Sequence, residues 1–385
     1  MDNFSFFGVR SLISQDDFLK IVNNQAYKQE IEDISLKEAL GYYLAEDILM
    51  ESFWPKERYA LFNGILTQSE LTEGASDYFP VVLDRRHQVR DIIAGEKITE
   101  EGDIIIPYAD LMEENPSSYR VTHPFQPGYG IIPPGEVFYP QHVLLRKYTK
   151  IQQRHIDALH SFSISFISVY KQPLLRLIII HKNKLHASWI KKTYRNFLKK
   201  YINQIECVQI TEDNLEKCIS EAVMAGQNII IVGGSGWGKD DCSAPSVYAQ
   251  GGENLLYGVA IEGCETYGLF KWQNPRQNGE LFCHIVPSTP LSSLQVFVAC
   301  IDPLLSLQTK HAPLAWLACK KTLASRLVSP VGVASYVPAR LEAERVYPLY
   351  GQEIGFLQAD GFIPIPDFCE GYAAGTDVDF IPLYS

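Results

Sequence analysis

Apolar runs and amphipathic stretches alternate from residue 173 onward, and few architectures accept that order. The run LLRLIII, Leu174 to Ile180, reads as a buried strand. ASWIKKTYRNFLKKYI follows, with apolar side chains at Ile190, Tyr194, Leu198 and Ile202, the spacing of a helix with one buried face. ECVQI is a second strand. TEDNLEKCISEAVMAG is a second helix, with Thr211 as its cap and Gly226 as its stop. NIIIV is a third strand. Strands separated by helices of this length predict a parallel, doubly wound sheet. In such sheets ligands sit beyond the carboxyl ends of the strands.

The third strand runs directly into a glycine-rich turn, IIIVGGSGWGKDD, Ile229 to Asp241. Gly233, Gly234, Gly236 and Gly238 remove Cβ atoms where a strand turns, so backbone N–H groups can converge on an anion. A following helix N-terminus would add to that field. No Ser or Thr follows Lys239, so the turn is not a Walker loop, and it does not fit GxGxxG. Asp240 and Asp241 offer oxygen ligands for Mg²⁺. A tight turn whose aspartate caps the next helix fits the same residues, and composition does not choose between the two. Ser235 is not a nucleophile elbow, because Trp237 stands where the last glycine would be. Trp237 can stack on a planar ring or wedge against neighbouring structure.

The flanking regions differ in texture. SQDDFLKIVNNQ starts with Ser14 as a cap and Asp17 three residues on. SLKEALGYYLAEDI repeats the pattern, with Ser35 and Glu38 as a capping box, so residues 14 to 50 are expected to be helical. From about 51 to 140 proline, glycine and short β-rich runs predict a small β domain. Helical spacing returns at KIQQRHIDALHSFSI. After about 320 short strands and glycine turns predict a C-terminal β domain.

Composition bounds the rest. A chain of 385 residues, 46% hydrophobic and 21% charged, can build several cores. A net charge of -11 argues against general nucleic-acid binding. Lys191, Lys192, Arg195, Lys199 and Lys200 have the spacing of a solvated helix face. The eight cysteines form no CxxC pair and sit in apolar segments, which suits a reducing cytoplasm. No apolar run approaches the length of a membrane span, and the N-terminus lacks a signal-peptide pattern. His155 and His160, and His181 and His186, lack metal-ligand spacing with an acidic partner.

Gly233, Gly234, Gly238 and Asp241 match the T-G-G-x-S-x-G-x-x-D motif of the molybdopterin molybdenumtransferase family, bacterial relatives of the gephyrin E domain, which this chain resembles. Val232 stands for the motif's threonine and Gly236 for its internal serine. SLKEALGYYLAEDI resembles the family's A-L-G-x-x-L-A-E-D-I segment, and GEVFYP, Gly135 to Pro140, its G-E-D-I step. LQADGFIPIPDFCEGYAAGTDVDFIPL resembles its C-terminal barrel. The resemblance implies an α/β multidomain protein. A helical linker domain would span 1–50 and 136–172, and an inserted β domain 51–135. A Mog-like doubly wound α/β domain would span 173–318, and a C-terminal β barrel 319–385.

It also implies a cytoplasmic homodimer with no nucleic-acid or membrane partner, working beside other molybdenum-cofactor pathway proteins. Its ligand would be molybdopterin or the adenylylated form, its cofactor Mg²⁺, its substrate molybdate. The site would lie between the Mog-like domain and the partner's inserted domain. On that pattern loop 233–238, including Ser235, holds a phosphate, and Lys239 and Lys184 touch it. Asp241 is the catalytic residue and, with Asp240, a metal ligand. Ser288 and Thr289 lie in the family's P-G-N-P turn, here Pro287 to Pro290. Asn63 and Gly64 form the inserted-domain side.

The departures fall on charged positions. Where the family has S-A-M-D-G-Y-A, the aspartate is Asn63, a poorer metal ligand. Where it has S-T-G-D-E-L, the acidic position is Lys184. Where it has K-P-G-K-P, two lysines are Glu262 and Glu265. Each reversed pair is worth roughly 1 to 4 kcal/mol against an oxyanion in wet surroundings. The expectation is therefore molybdenum insertion with reduced or altered activity. The alternative is a non-catalytic relative that binds a pterin, a nucleotide or a protein partner.

Overall fold

Ser14 opens the first helix as its hydroxyl predicts: Oγ accepts the Asp17 N–H at 3.1 Å, and Gln15–Asn23 is helical. The computed structural model describes residues 12–25, 30–180, 184–238, 241–276, 279–349 and 358–383. The chain divides into two compact units, Glu46–Thr149 and the remainder.

The larger unit is built on a six-stranded sheet. Its strands are β1 (Leu175–Ile180), β2 (Ile205–Ile210), β3 (Asn228–Val232), β4 (Glu253–Tyr257), β5 (Gly268–Gln273) and β6 (Glu280–Val286), in the order β2-β1-β3-β6-β5-β4. The first three and β6 run parallel, whereas β4 and β5 add an antiparallel edge. Helices packed with the sheet include α1 (Lys184–Leu198), α2 (Leu215–Met224), α3 (Ser243–Ala249) and α4 (Pro290–Val296).

Alternate strand side chains point to opposite faces, so a strand buried on both sides is mostly apolar, and Arg176, Asn228 and His284 are buried polar exceptions in β1, β3 and β6. Leu177, Ile179, Ile230, Val232 and Val286 share one core with Ile190, Tyr194 and Leu198 of α1. Ile178, Ile180, Ile229, Ile231 and Ile285 share the other with Leu215 and Ile219 of α2 and Val247 of α3. Each such side chain, fully buried, contributes about 1.5–3 kcal/mol. All four residues assigned to the inner face of α1 and its C-terminal extension, Ile190, Tyr194, Leu198 and Ile202, are buried. On its outer face Lys192, Arg195 and Lys199 are exposed, whereas Lys200 is half-buried.

The expected helix at 35–48 does not form. Ile31–Ser35 is a strand paired with Phe166–Tyr170, and only Leu36–Glu38 makes one 3₁₀ turn, without a side-chain cap. The expectation about apolar runs is also corrected. Pro290–Thr309, 20 residues with a π-helical stretch at Phe297–Ile301, is long and apolar enough by composition to cross a bilayer. It is a core element instead, with 78% of its most apolar window inside the protein.

Cys319–Leu323, Arg345–Pro348, Ser335–Glu342, Gly361–Ile365 and Asp377–Pro382 close a five-stranded barrel around Val337, Val346, Ile363 and Phe380. The smaller unit holds two three-stranded sheets. In one, Gly64–Thr67 lies between Arg90–Ile92 and Ile104–Pro107. In the other, Ser118–Val121 lies between Val81–Asp84 and Met112–Asn115. All eight cysteines are free thiols.

Candidate functional site

Strand order locates the crevice. The chain leaves β1 for β2 on one side and returns to β3 on the other, so the direction of winding reverses between β1 and β3. Loops leaving the carboxyl ends of such neighbours diverge and open a cleft. Ile179 of β1 and Val286 of β6 both pair with Val232 of β3, which sets the three strand ends side by side.

The glycine-rich turn begins by extending the ladder. Gly233 donates its N–H to Val286 O at 2.9 Å, then turns away with φ +110°, and Gly234 follows at φ +58°. A Cβ on Gly233 would sit 2.9 Å from Ile180 O, so the turn crosses close over the end of β1. The start of α3 folds back onto it. Ser243 Oγ donates to Gly233 O at 2.7 Å, and Ser243 N–H donates to Gly234 O at 3.0 Å. Because α3 has seven residues, its dipole adds little to the field.

Asp241 closes the turn from inside. Its Oδ2 accepts the Gly238 N–H at 2.7 Å and lies 2.6 Å from where a Gly236 Cβ would be. The missing side chain at 236 is what makes room for the carboxylate. One of the turn's N–H groups therefore holds an anion that belongs to the chain itself. Lys239 and Asp240 lie outside the described residues, as do the side chain of Lys184 and residues 181–183.

Two further segments meet the turn. Ser235 Oγ lies 3.2 Å from Thr266 Oγ1, which brings in the segment carrying Glu262 and Glu265, both exposed. That segment rests in turn on α4: a Cβ on Gly263 would sit 2.2 Å from Gln295 Oε1. Thr289 stands at the N-cap position of α4 without a side-chain cap and Pro290 opens the helix, with Ser288 and Thr289 exposed. Loop 233–238, segment 262–266 and the turn 287–290 thus form one continuous edge.

Tyr257, at the end of β4, donates its O–H to Ser235 O at 2.6 Å. Burial pushes its phenol pKa well above the ordinary range, and the charge of Asp241 adds to the shift. Trp237 packs edge-on against this ring, with centroids 5.1 Å apart. Tyr257 and Thr266 were not legible as site residues. Their only signal is register, since both depend on which strand lies beside the turn.

In the smaller unit, Asn63 Oδ1 accepts the Ala94 N–H at 2.8 Å and so braces its own sheet. Gly64 is forced by packing, because a Cβ there would sit 2.1 Å from Ile106 O.

Comparison with known proteins agrees with this architecture. Residues 13–163 match the MoeA N-terminal region (domain I and II), and residues 320–383 match the MoeA C-terminal region (domain IV). A Methanocaldococcus jannaschii protein assigned to molybdopterin biosynthesis is 23% identical over 91% of this chain and 92% of its own length. The molybdopterin molybdenumtransferase of Bacillus subtilis is 24% identical over 64% of this chain and 65% of its own length. The crystal structure of the molybdopterin biosynthesis MoeA protein of Pyrococcus horikoshii superposes with a TM-score of 0.78 at 19% identity, covering 97% of this chain and all of that one. A molybdenum cofactor biosynthesis protein from Pyrococcus furiosus superposes at 0.54 with 15% identity, covering 96% of this chain and 99% of that one. Matched at both ends of its sequence and along its fold, the chain belongs to the MoeA-like family.

Proposed function

We propose that the chain acts in molybdenum cofactor biosynthesis, at the step that inserts molybdenum into molybdopterin or its adenylylated form. The observation that carries this reading is the continuous edge on which the Ser235–Thr266 contact joins loop 233–238 to segment 262–266, and the Gly233–Val286 bond sets the loop beside the strand end that leads into turn 287–290. These are the segments to which the resemblance assigns the ligand contacts.

Each residue then has a physical task. Backbone N–H groups of the turn beyond Gly233, whose own N–H stays on Val286 O, take a phosphate, with the side chain of Ser235 fixed behind them. Lys239 and Lys184 add point charges to that phosphate. The exposed hydroxyls of Ser288 and Thr289 donate to the ligand's oxygens. A phosphate that takes the Gly238 N–H displaces the Asp241 carboxylate, which is then free to hold and orient a water. Asn63 and Gly64 form the opposing side, contributed by a second subunit of a homodimer in the cytoplasm.

Glu262 and Glu265 work against molybdate. Two carboxylates beside the loop repel a tetrahedral oxyanion by roughly 1 to 4 kcal/mol each in wet surroundings, so insertion is slow or needs high molybdate. Magnesium does not fit the described donor set. Asn63 is a neutral amide, and among the described residues no three His, Cys, Asp or Glu side chains converge. No step is routed through it.

The test is complementation of a strain lacking molybdenum insertion, with molybdoenzyme activity as the readout. Activity restored, and raised further by added molybdate, supports the reading. Normal expression with no restored activity at any molybdate level overturns it. Magnesium dependence is read separately, by titrating the purified protein with molybdopterin with and without Mg²⁺. An unchanged Kd is expected.

A further inference from the structure

We infer that Tyr257 is a positioning residue that holds the Ser235 peptide, and through it the whole turn 233–238, in the shape that receives the ligand. This rests on the reading of that turn as the phosphate site.

Most restraints on the turn act near its ends. Gly233 is tied to Val286, Gly233 and Gly234 to Ser243, and Gly238 to Asp241. In the middle, Ser235 is reached from outside by Thr266, through its hydroxyl, and by Tyr257, through its carbonyl at 2.6 Å. Only the second grips the backbone. Ser235 is 5% exposed, so water is a poor substitute for the phenol.

The ring that delivers this hydroxyl is itself seated. Tyr257 and Gly268 are cross-strand partners on the antiparallel edge, and a Cβ at 268 would come within 2.7 Å of ring Cδ2. The glycine therefore leaves the space that the ring fills. Trp237 packs on the ring at 5.1 Å and Phe270 at 6.3 Å, both edge-on. The phenol remains an O–H donor at neutral pH, because burial disfavours its ionised form. The antiparallel hairpin β4–β5 thus has a task beyond extending the sheet: it carries the clamp on the turn.

The test compares wild type, Tyr257→Phe and Gly268→Ala by amide hydrogen exchange and by molybdopterin titration. Tyr257→Phe keeps the ring and loses one hydrogen bond. It is expected to speed exchange of residues 233–238 by about fivefold to tenfold and weaken molybdopterin binding by about the same factor, leaving exchange in β3 unchanged. Gly268→Ala displaces the ring without removing the hydroxyl and must produce both effects. Unchanged exchange in the turn for either variant overturns the inference, as does faster exchange with unaltered affinity. Faster exchange throughout the sheet assigns Tyr257 a merely structural role and overturns it too. Wild-type protein that does not bind molybdopterin defeats the proposed function instead, and turn exchange alone then decides for or against Tyr257.

Discussion

The turn after β3 and the turn before Gly64–Thr67 look alike in one respect. Each places a short polar side chain on a backbone N–H: Asp241 on Gly238 within the same turn, Asn63 on Ala94 in the turn that follows Arg90–Ile92. They differ in what the glycines beside them do. Gly64 is pressed against the backbone of Ile106, with no room for any side chain. Gly236 is pressed only against the Asp241 carboxylate, which can move. One turn is locked by the strand beside it. The other is closed by a charged group that a competing anion can dislodge. A glycine in a family motif is therefore not by itself evidence of a ligand, and the atom a Cβ would strike separates the two cases.

The hardest test of that contrast is Gly64→Ala. A carbonyl oxygen at 2.1 Å cannot yield without separating Gly64–Thr67 from Ile104–Pro107. The expected cost is roughly 3–5 kcal/mol, at the exceptional end of single substitutions. Thermal unfolding of the isolated variant reads it, and a melting temperature within 2–3 °C of wild type would remove the distinction between the two turns, since a loss of this size shifts a midpoint by about 6 °C or more.

Asp241 comes next. Asp241→Ala strips Gly238 of its acceptor and should cost about 1–2 kcal/mol in stability, along with all complementation activity. Asp241→Asn keeps an oxygen on the same N–H, so its stability stays within about 1 kcal/mol of wild type while the charge is gone. Equal melting temperatures for the two variants would show that the carboxylate does not brace the turn. Gly236→Ala is milder. Its Cβ pushes a side-chain oxygen rather than backbone, so a loss of about 1 kcal/mol is expected, by chemical denaturation. A loss as large as that of Gly64→Ala would mean the Asp241 carboxylate is as immovable as Ile106.

Much of this could be read before the structure, for a physical reason that also explains the failures. The Ser14 cap and the buried face of α1 depend on residues three or four apart, and local spacing reports them faithfully. The alternation after 173 predicted the parallel strands for the same reason. Ser35 and Glu38 have equally good helical spacing, yet Ile31–Ser35 pairs with Phe166–Tyr170, and that distant partner outweighs a weak local preference. The antiparallel edge β4–β5 was likewise invisible, because period alone does not give strand direction. The glycine turn was read from its own residues, and the segments around Glu262 and Ser288 were found through resemblance. Tyr257 and Thr266 were missed because their roles arise only when β4 and β5 are laid beside β3 and β6.

The smallest expected effect sharpens the comparison most. Asn63 stands where the family has an aspartate, and Asn63→Asp restores the acid with almost no change in shape. If this side chain serves only to brace the turn at Ala94, the carboxylate will accept Ala94 N–H as the amide oxygen does now. The residue is exposed, so the added charge is solvated and stability should stay within about 0.5 kcal/mol. Affinity for molybdopterin should then change by less than about threefold, equivalent to about 0.7 kcal/mol. A tenfold change at constant stability would have a different meaning. It would show that the side chain at 63 leaves its brace when ligand binds, as Asp241 is proposed to do, and the two turns would then work by one principle: a polar group parked on its own backbone until the ligand takes its place.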